Sequence, residues 1–278
     1  MNPDRRIRAY RAATIRRRQL LKLANACFDG FWLGLLDRAA LDRLDELFYS
    51  RGQDLENGRA FTYLDEQHNL AGLRDWEDAA IEAHFPPRAR VIVTGAGGGR
   101  EVIALLERGF DAVGYEPNEA LVAAGSELMR RLGHEDRLRV SERDAFPPDA
   151  PSCDAVLVGW GSYMLIPGRA RRLAFLRAVR RSLPEGAPIL CSFFLRRPNA
   201  RYFTIVAETA NLLRRIRRAE RVERGDTIGH NFVHSFTRAE IEAGLAEGGF
   251  RLVAFAAEPY GHAVALATQP GESSAASR

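Results

Sequence analysis

The chain has 278 residues, 46% of them hydrophobic, and a formal net charge of +4. That supplies one substantial core with room for an added layer; the charge is carried by arginine, with Lys22 the only lysine, and reads as compositional bias more than electrostatic design. Cys27, Cys153 and Cys191 stand far apart without ligand spacing, which argues against a disulfide framework or zinc site and fits a reducing cytoplasm; no apolar run is long enough to span a membrane, and RRIRAYRAATIRRR lacks the apolar centre of a secretory signal.

In chain order, Leu20, Leu21, Ala24, Cys27, Phe28, Phe31 and Trp32 recur at spacings of three and four, and Leu41, Leu44, Leu47 and Phe48 repeat the pattern after a break. Two helices with an apolar face are expected. Residues 51–59 read as a polar loop with glycines. FTYLDEQHNLAGLRDWE suits neither a clean helix nor a strand, and Phe61, Leu70 and Trp76 are expected in the core. Asp75 is the expected cap of a helix over 76–84 that Pro86 and Pro87 stop.

From residue 90 short apolar runs alternate with helical segments. Strands are predicted at 90–94, 112–115, 138–141, 155–159 and 188–194, and helices at 100–108, 118–132 and 168–182. This is the pattern of a doubly wound α/β fold with a mostly parallel sheet. An arginine-rich helical insertion follows at 199–222. Thr237 and Glu240 then form a capping box that opens a helix ending at Gly248 and Gly249. FRLVAFAA and HAVALAT, joined by EPYGH, are expected to pair as an antiparallel hairpin and bring the sheet to seven strands. The expected division is a helical cover at 1–85, an α/β domain at 86–268 with a substrate-side insertion at 199–236, and a disordered tail at 269–278.

VIVTGAGGGRE, at 91–101, is a strand breaking into glycines and then a helix, the arrangement that brings backbone close to a nucleotide. Gly95, Gly97 and Gly99 form GxGxG, whereas a dinucleotide fingerprint wants a glycine where Arg100 stands. AVGYEPN ends in Glu116 about 20 residues further on, and SERDAF carries Asp144 and Ala145 after the third strand. With the terminal hairpin, residues 85–268 resemble the class I S-adenosylmethionine (SAM)-dependent methyltransferases of small-molecule type. The resemblance implies SAM as cofactor. Gly95, Ala96, Gly97 and Gly99 would cradle it, Glu116 with Pro117 would take the ribose hydroxyls, and Asp144 and Ala145 the adenine. Trp160 would pack against it, and Tyr63 would reach it from the cover. Val93 stands where many members carry an acid, a role left to Glu101 or to the N-terminal region.

The same resemblance puts Ser162, Asn69 and His230 at the acceptor, with His234 and Tyr163 as candidates for taking its proton. Neither [DN]PP[YF] nor a strand-end carboxylate for a metal is present, so base-amine chemistry and a metal are not expected. The reading is metal-independent methyl transfer to a small molecule, first to a hydroxyl. A methyltransferase acting on RNA or a membrane-associated lipid, an NAD-dependent oxidoreductase and a noncatalytic SAM-binding regulator are the alternatives. No specific nucleic-acid partner is expected.

Overall fold

The computed structural model describes residues 3–51, 53–54, 60–61 and 63–269. The expected tail beyond 269, most of the 51–59 loop and the side chain of Phe61 lie outside the described residues. Helices α1 (Pro3–Leu35) and α2 (Arg38–Arg51) come first, then a two-residue pair β1 (Gln53–Asp54) and β2 (Ala60–Phe61), a one-turn helix α3 (Glu66–Asn69) and α4 (Asp75–His84). The α/β part follows as β3 (Arg90–Thr94), α5 (Arg100–Glu107), β4 (Asp111–Glu116), α6 (Glu119–Arg131), β5 (Leu138–Val140), β6 (Ala155–Val158), α7 (Arg169–Ser182) and β7 (Pro188–Phe193). The chain closes with α8 (Arg201–Arg217), a short hairpin β8 (Asp226–Ile228) and β9 (Phe232–His234), α9 (Arg238–Glu247), β10 (Phe250–Ala256) and β11 (Gly261–Ala267).

The main sheet has seven strands in the order β10-β11-β7-β6-β3-β4-β5. The five strands from β7 to β5 are parallel, and β11 runs antiparallel between β7 and β10. Parallel strands covered on both faces need continuous apolar runs, and β7 is buried at every position. The pleat then divides successive side chains between two cores. Val91 and Val93 join Trp76, Ile81, Val102 and Leu128 on the face covered by α4, α5 and α6, while Ile92 joins Phe175, Leu176, Ile241 and Leu245 under α7 and α9. Reversal of strand order at β3 and β6 puts the glycine loop at the switch point, where doubly wound sheets bind ligands.

The capping box closes as read: the Thr237 hydroxyl accepts from the Glu240 amide, and the Glu240 carboxylate accepts from the Thr237 amide at 2.6 Å. Two expectations in the cover are corrected. Asp75 is the first helical residue of α4, not its cap; Arg74 holds that position, with its amide donating to Glu77 at 2.7 Å. Leu70, expected in the core, is 45% exposed, because it ends α3 at a turn.

The apolar face read in α1 also faces solvent. Leu20, Leu21, Phe28, Phe31 and Trp32 are exposed, and the buried side is Ala26, Gly30, Leu33 and Gly34 against α8. A Cβ at Gly30 would lie 2.6 Å from the Val206 carbonyl, so the small residues are what let the two backbones approach.

Candidate functional site

Two contiguous cavities open at the carboxyl ends of β3, β4 and β6 and share Tyr63, Gly95, Gly97 and Trp160. Their floor is the glycine loop. Gly95, Gly97 and Gly99 have φ of 63°, 55° and 95°, left-handed values that favour glycine. Gly99 is also the N-cap of α5, so the helix's free amides start at the loop. A Cβ on Gly97 would meet nothing nearer than Tyr63 at 3.8 Å, which leaves open space directly above that backbone.

Glu116 ends β4 beside this space, and its buried carboxylate accepts the amides of Gly97 and Asn118, each at 2.9 Å. Burial pushes its carboxyl above the usual range, against the downward pull of those two amides. Pro117, Asp144, Ala145 and Ser162 line the same cavity, and Ser162 donates to the Gly95 carbonyl at 3.1 Å. Asp144 sits at a left-handed φ of 60°, which aspartate tolerates better than most side chains. Its carboxylate pairs with Arg38 of α2, so the cover is clamped onto the pocket wall.

Arg143 bonds Asp45 of α2 at 3.2 Å, and Asn118 bonds Ser50 at 2.9 Å. Burial pushes Asp45 up to about 7 against the pull of Arg143 and the Phe232 amide. Between the ordinary aspartate range and about 7 the folded chain therefore keeps a proton that the unfolded chain has released. This group's contribution to stability falls as pH rises through that window and is level above it. Asp45→Asn is expected to flatten that part of a melting-temperature profile, and profiles of the same slope for variant and parent would reject the assignment.

The second cavity adds His68, Asn69, Arg74, Ala96, Gly98, Arg100 and Glu101. Arg100 stands where a dinucleotide loop has its third glycine, and it is buried. Its guanidinium holds the Gly72 carbonyl at 2.8 Å, both oxygens of Glu77 and one of Glu101, tying α4 to the loop. Glu101 also accepts the Trp160 amide at 3.1 Å, joining α5 to the end of β6. Arg74 lies over the Trp160 ring at 4.6 Å, and its buried Nε has no hydrogen-bond partner among the described residues. Behind the cavity Trp160 packs edge-on against Tyr260, with ring centroids 5.3 Å apart, and against Phe194. Arg74 escaped sequence reasoning, since it belongs to the pocket only through contacts distant along the chain.

Three sequence candidates lie elsewhere. His234 and Tyr163 line a separate cavity of about 230 Å³ with Arg172, Glu223 and Phe236, and Phe236 stacks on Tyr163 at 5.3 Å and meets His234 edge-on. His230 is exposed and stacks on Phe48 of α2. Asp226 faces His234 across the β8–β9 hairpin, with Oδ1 2.6 Å from Nδ1. Glu223, Asp226 and His234 offer three ligand atoms within 4.8 Å of one another, but Arg172 and the Arg169 amide already occupy the Glu223 carboxylate. Removing one partner of a buried pair strands the other. His234→Ala is therefore expected to lower stability by about 3 kcal/mol and leave cofactor affinity unchanged; the reverse pattern in paired unfolding and titration experiments would return His234 to the site.

No family model matches the chain, and no curated protein matches it in sequence. Its fold is that of solved methyltransferases. A SAM-dependent methyltransferase of Methanosarcina mazei aligns over 71% of this chain and 99% of its own, at 16% identity and a TM-score of 0.54. A sugar N-methyltransferase from a Streptoalloteichus species aligns over 74% and 91%, at 16% identity and 0.54. The 1,6-didemethyltoxoflavin N1-methyltransferase of Burkholderia thailandensis, solved with 1,6-didemethyltoxoflavin and S-adenosylhomocysteine, aligns over 70% and 77%, at 18% identity and 0.51. The chain thus has the class I SAM-dependent methyltransferase fold, with the helical cover added at its N-terminus.

Proposed function

We propose that the protein binds SAM in the paired cavities and transfers its methyl group to a small-molecule acceptor without a metal. The observation that carries this reading is Glu116: a buried carboxylate held by two amides at the strand end beside the open space over Gly97. An acid there accepts a ribose diol, and the adjoining lobe supplies what an amino acid needs, an unpartnered Arg74 Nε for a carboxylate and Glu101 for an ammonium. A dinucleotide fingerprint wants a glycine where Arg100 stands. Asp144 and Ala145 take the adenine end.

When bound, SAM supplies an electrophilic methyl on a sulfonium whose departure needs no acid. The protein's part is to align the acceptor and exclude water. Tyr63 and Trp160, the latter backed by Tyr260 and Phe194, would form the acceptor side, with Ser162 and Asn69 as polar neighbours. Burial lifts the Tyr63 phenol to about 12, so near neutral pH it donates a hydrogen bond and does not take a proton.

A hydroxyl remains the first acceptor in this reading; its proton would not pass to His234, which lines the other cavity, whereas His68, whose pKa burial lowers, lines this one. An amine is the second reading, favoured by that same placement and by two N-methyltransferases of this fold. The test is incubation with labelled SAM and a metabolite extract, followed by a mass search for products heavier by one methylene. Label confined to RNA or lipid would overturn the small-molecule assignment.

Arg74 separates the cofactor's two ends. Arg74→Gln is expected to weaken SAM and S-adenosylhomocysteine by about 10-fold, the loss of one charge-assisted hydrogen bond. Methylthioadenosine, which lacks the amino-acid part, should bind the variant as it binds the parent. An equal loss for all three ligands would remove Arg74 from the amino-acid lobe.

A further inference from the structure

We propose that α1 docks the protein on an anionic membrane surface, lying in the plane of the headgroups. Residues 4–25 of this helix are exposed apart from a half-buried Thr14, and the first buried residue is Ala26. This part of the helix therefore extends for about 33 Å without packing on the body. Most helical stability in proteins comes from packing of an apolar face, and a binding surface would supply that here.

Its composition specifies the surface. Tyr10, Ala13, Leu20, Leu21, Ala24, Phe28, Phe31 and Trp32 recur at spacings of three and four on one face, opposite the Ala26, Gly30 and Leu33 side that meets α8. Tyr10 is 72% exposed, Leu20 66% and Phe28 64%. Arg5, Arg8, Arg11, Arg16, Arg18 and Lys22 fall on the other side of the wheel, with Arg6 and Arg17 within the stripe. Aromatic and leucine side chains on one face and most of the bases on the other, where Ile15 and Leu23 are also exposed, are the make-up of an interfacial helix. Among the described residues no helix is long and apolar enough to cross a membrane. Docking in the plane uses the exposed stripe without crossing.

Charge decides between a membrane and a second copy. Residues 4–25 carry eight bases and the single acid Asp4, so two such helices face to face repel, whereas anionic lipid attracts each one. Arg17 also interrupts the stripe at a position a dimer seam would bury, while on a bilayer its long stem lets the charge reach the headgroups.

The proposal is independent of methyl transfer, and its test needs no activity. The full chain is sedimented with vesicles of phosphatidylcholine alone or mixed with phosphatidylglycerol, at rising salt. Binding is expected only to the mixed vesicles and should fall with salt. Leu20→Glu with Leu21→Glu should abolish it, and Arg5→Gln, Arg8→Gln and Arg11→Gln should each weaken it about five-fold. All five positions lie outside the packed core, so SAM titration and melting temperature should match the parent and report that the variants are folded. Failure to bind either vesicle overturns the proposal. So does concentration-dependent dimerisation that the leucine variants abolish without vesicle binding by the parent, which would assign the stripe to a second copy, or RNA retention that is lost with the arginines and indifferent to the leucines.

Discussion

Gly97→Val is expected to abolish SAM binding while the chain stays folded. The glycine's left-handed backbone makes the substitution cost about 1–2 kcal/mol of strain, an amount a domain of ordinary stability survives. A Cβ there comes within 4 Å only of Tyr63, so the main effect of the side chain is to fill the space above the loop. The adjacent glycine provides the contrast. A Cβ on Gly98 would lie 2.3 Å from the Asn69 amide nitrogen and 2.7 Å from the Tyr63 carbonyl, so Gly98→Ala should displace the cover and lower the melting temperature. Calorimetric titration beside thermal melts distinguishes them; undiminished affinity in Gly97→Val would place the cofactor elsewhere.

Glu116→Gln should weaken SAM and S-adenosylhomocysteine together, by roughly 1.5–3 kcal/mol or 10- to 150-fold, as charge-assisted hydrogen bonds are lost. Glutamine keeps one acceptor oxygen for the Gly97 or Asn118 amide, which makes it a gentler probe of the fold than alanine. Acid should mimic the substitution. The carboxyl is raised by burial, and the ionised form is the better acceptor. Affinity is therefore expected to fall as pH drops through a point above the ordinary glutamate range, and in Glu116→Gln that dependence should vanish. A variant that binds both ligands as the parent does would exclude Glu116 from the ribose position.

Local signals in the sequence account for the strands, the glycine loop, the position of Glu116 at the end of β4 and the Thr237–Glu240 capping box. Each is written in adjacent residues, because strand alternation, left-handed turns and caps are short-range physics. The α1 face was legible as a periodicity but not as a location. Spacing says which side chains share a face, while Gly30 and Gly34 decide that the opposite face meets α8. His234 was misplaced for a related reason. Its partner Asp226 stands directly opposite in the β8–β9 register, visible only once the GlyHisAsn turn at 229–231 is taken as a hairpin. Arg74 had no signal beyond its place before α4. Its meaning comes from Trp160, which the fold brings beneath it.

Calorimetric titration of the purified full chain with SAM, S-adenosylhomocysteine and NAD tests the central claim most directly. The account predicts saturable one-to-one binding of SAM and S-adenosylhomocysteine, weakened alike by Glu116→Gln, and no heat with NAD. Saturable binding of NAD in the same cavity, with none of SAM, would contradict it.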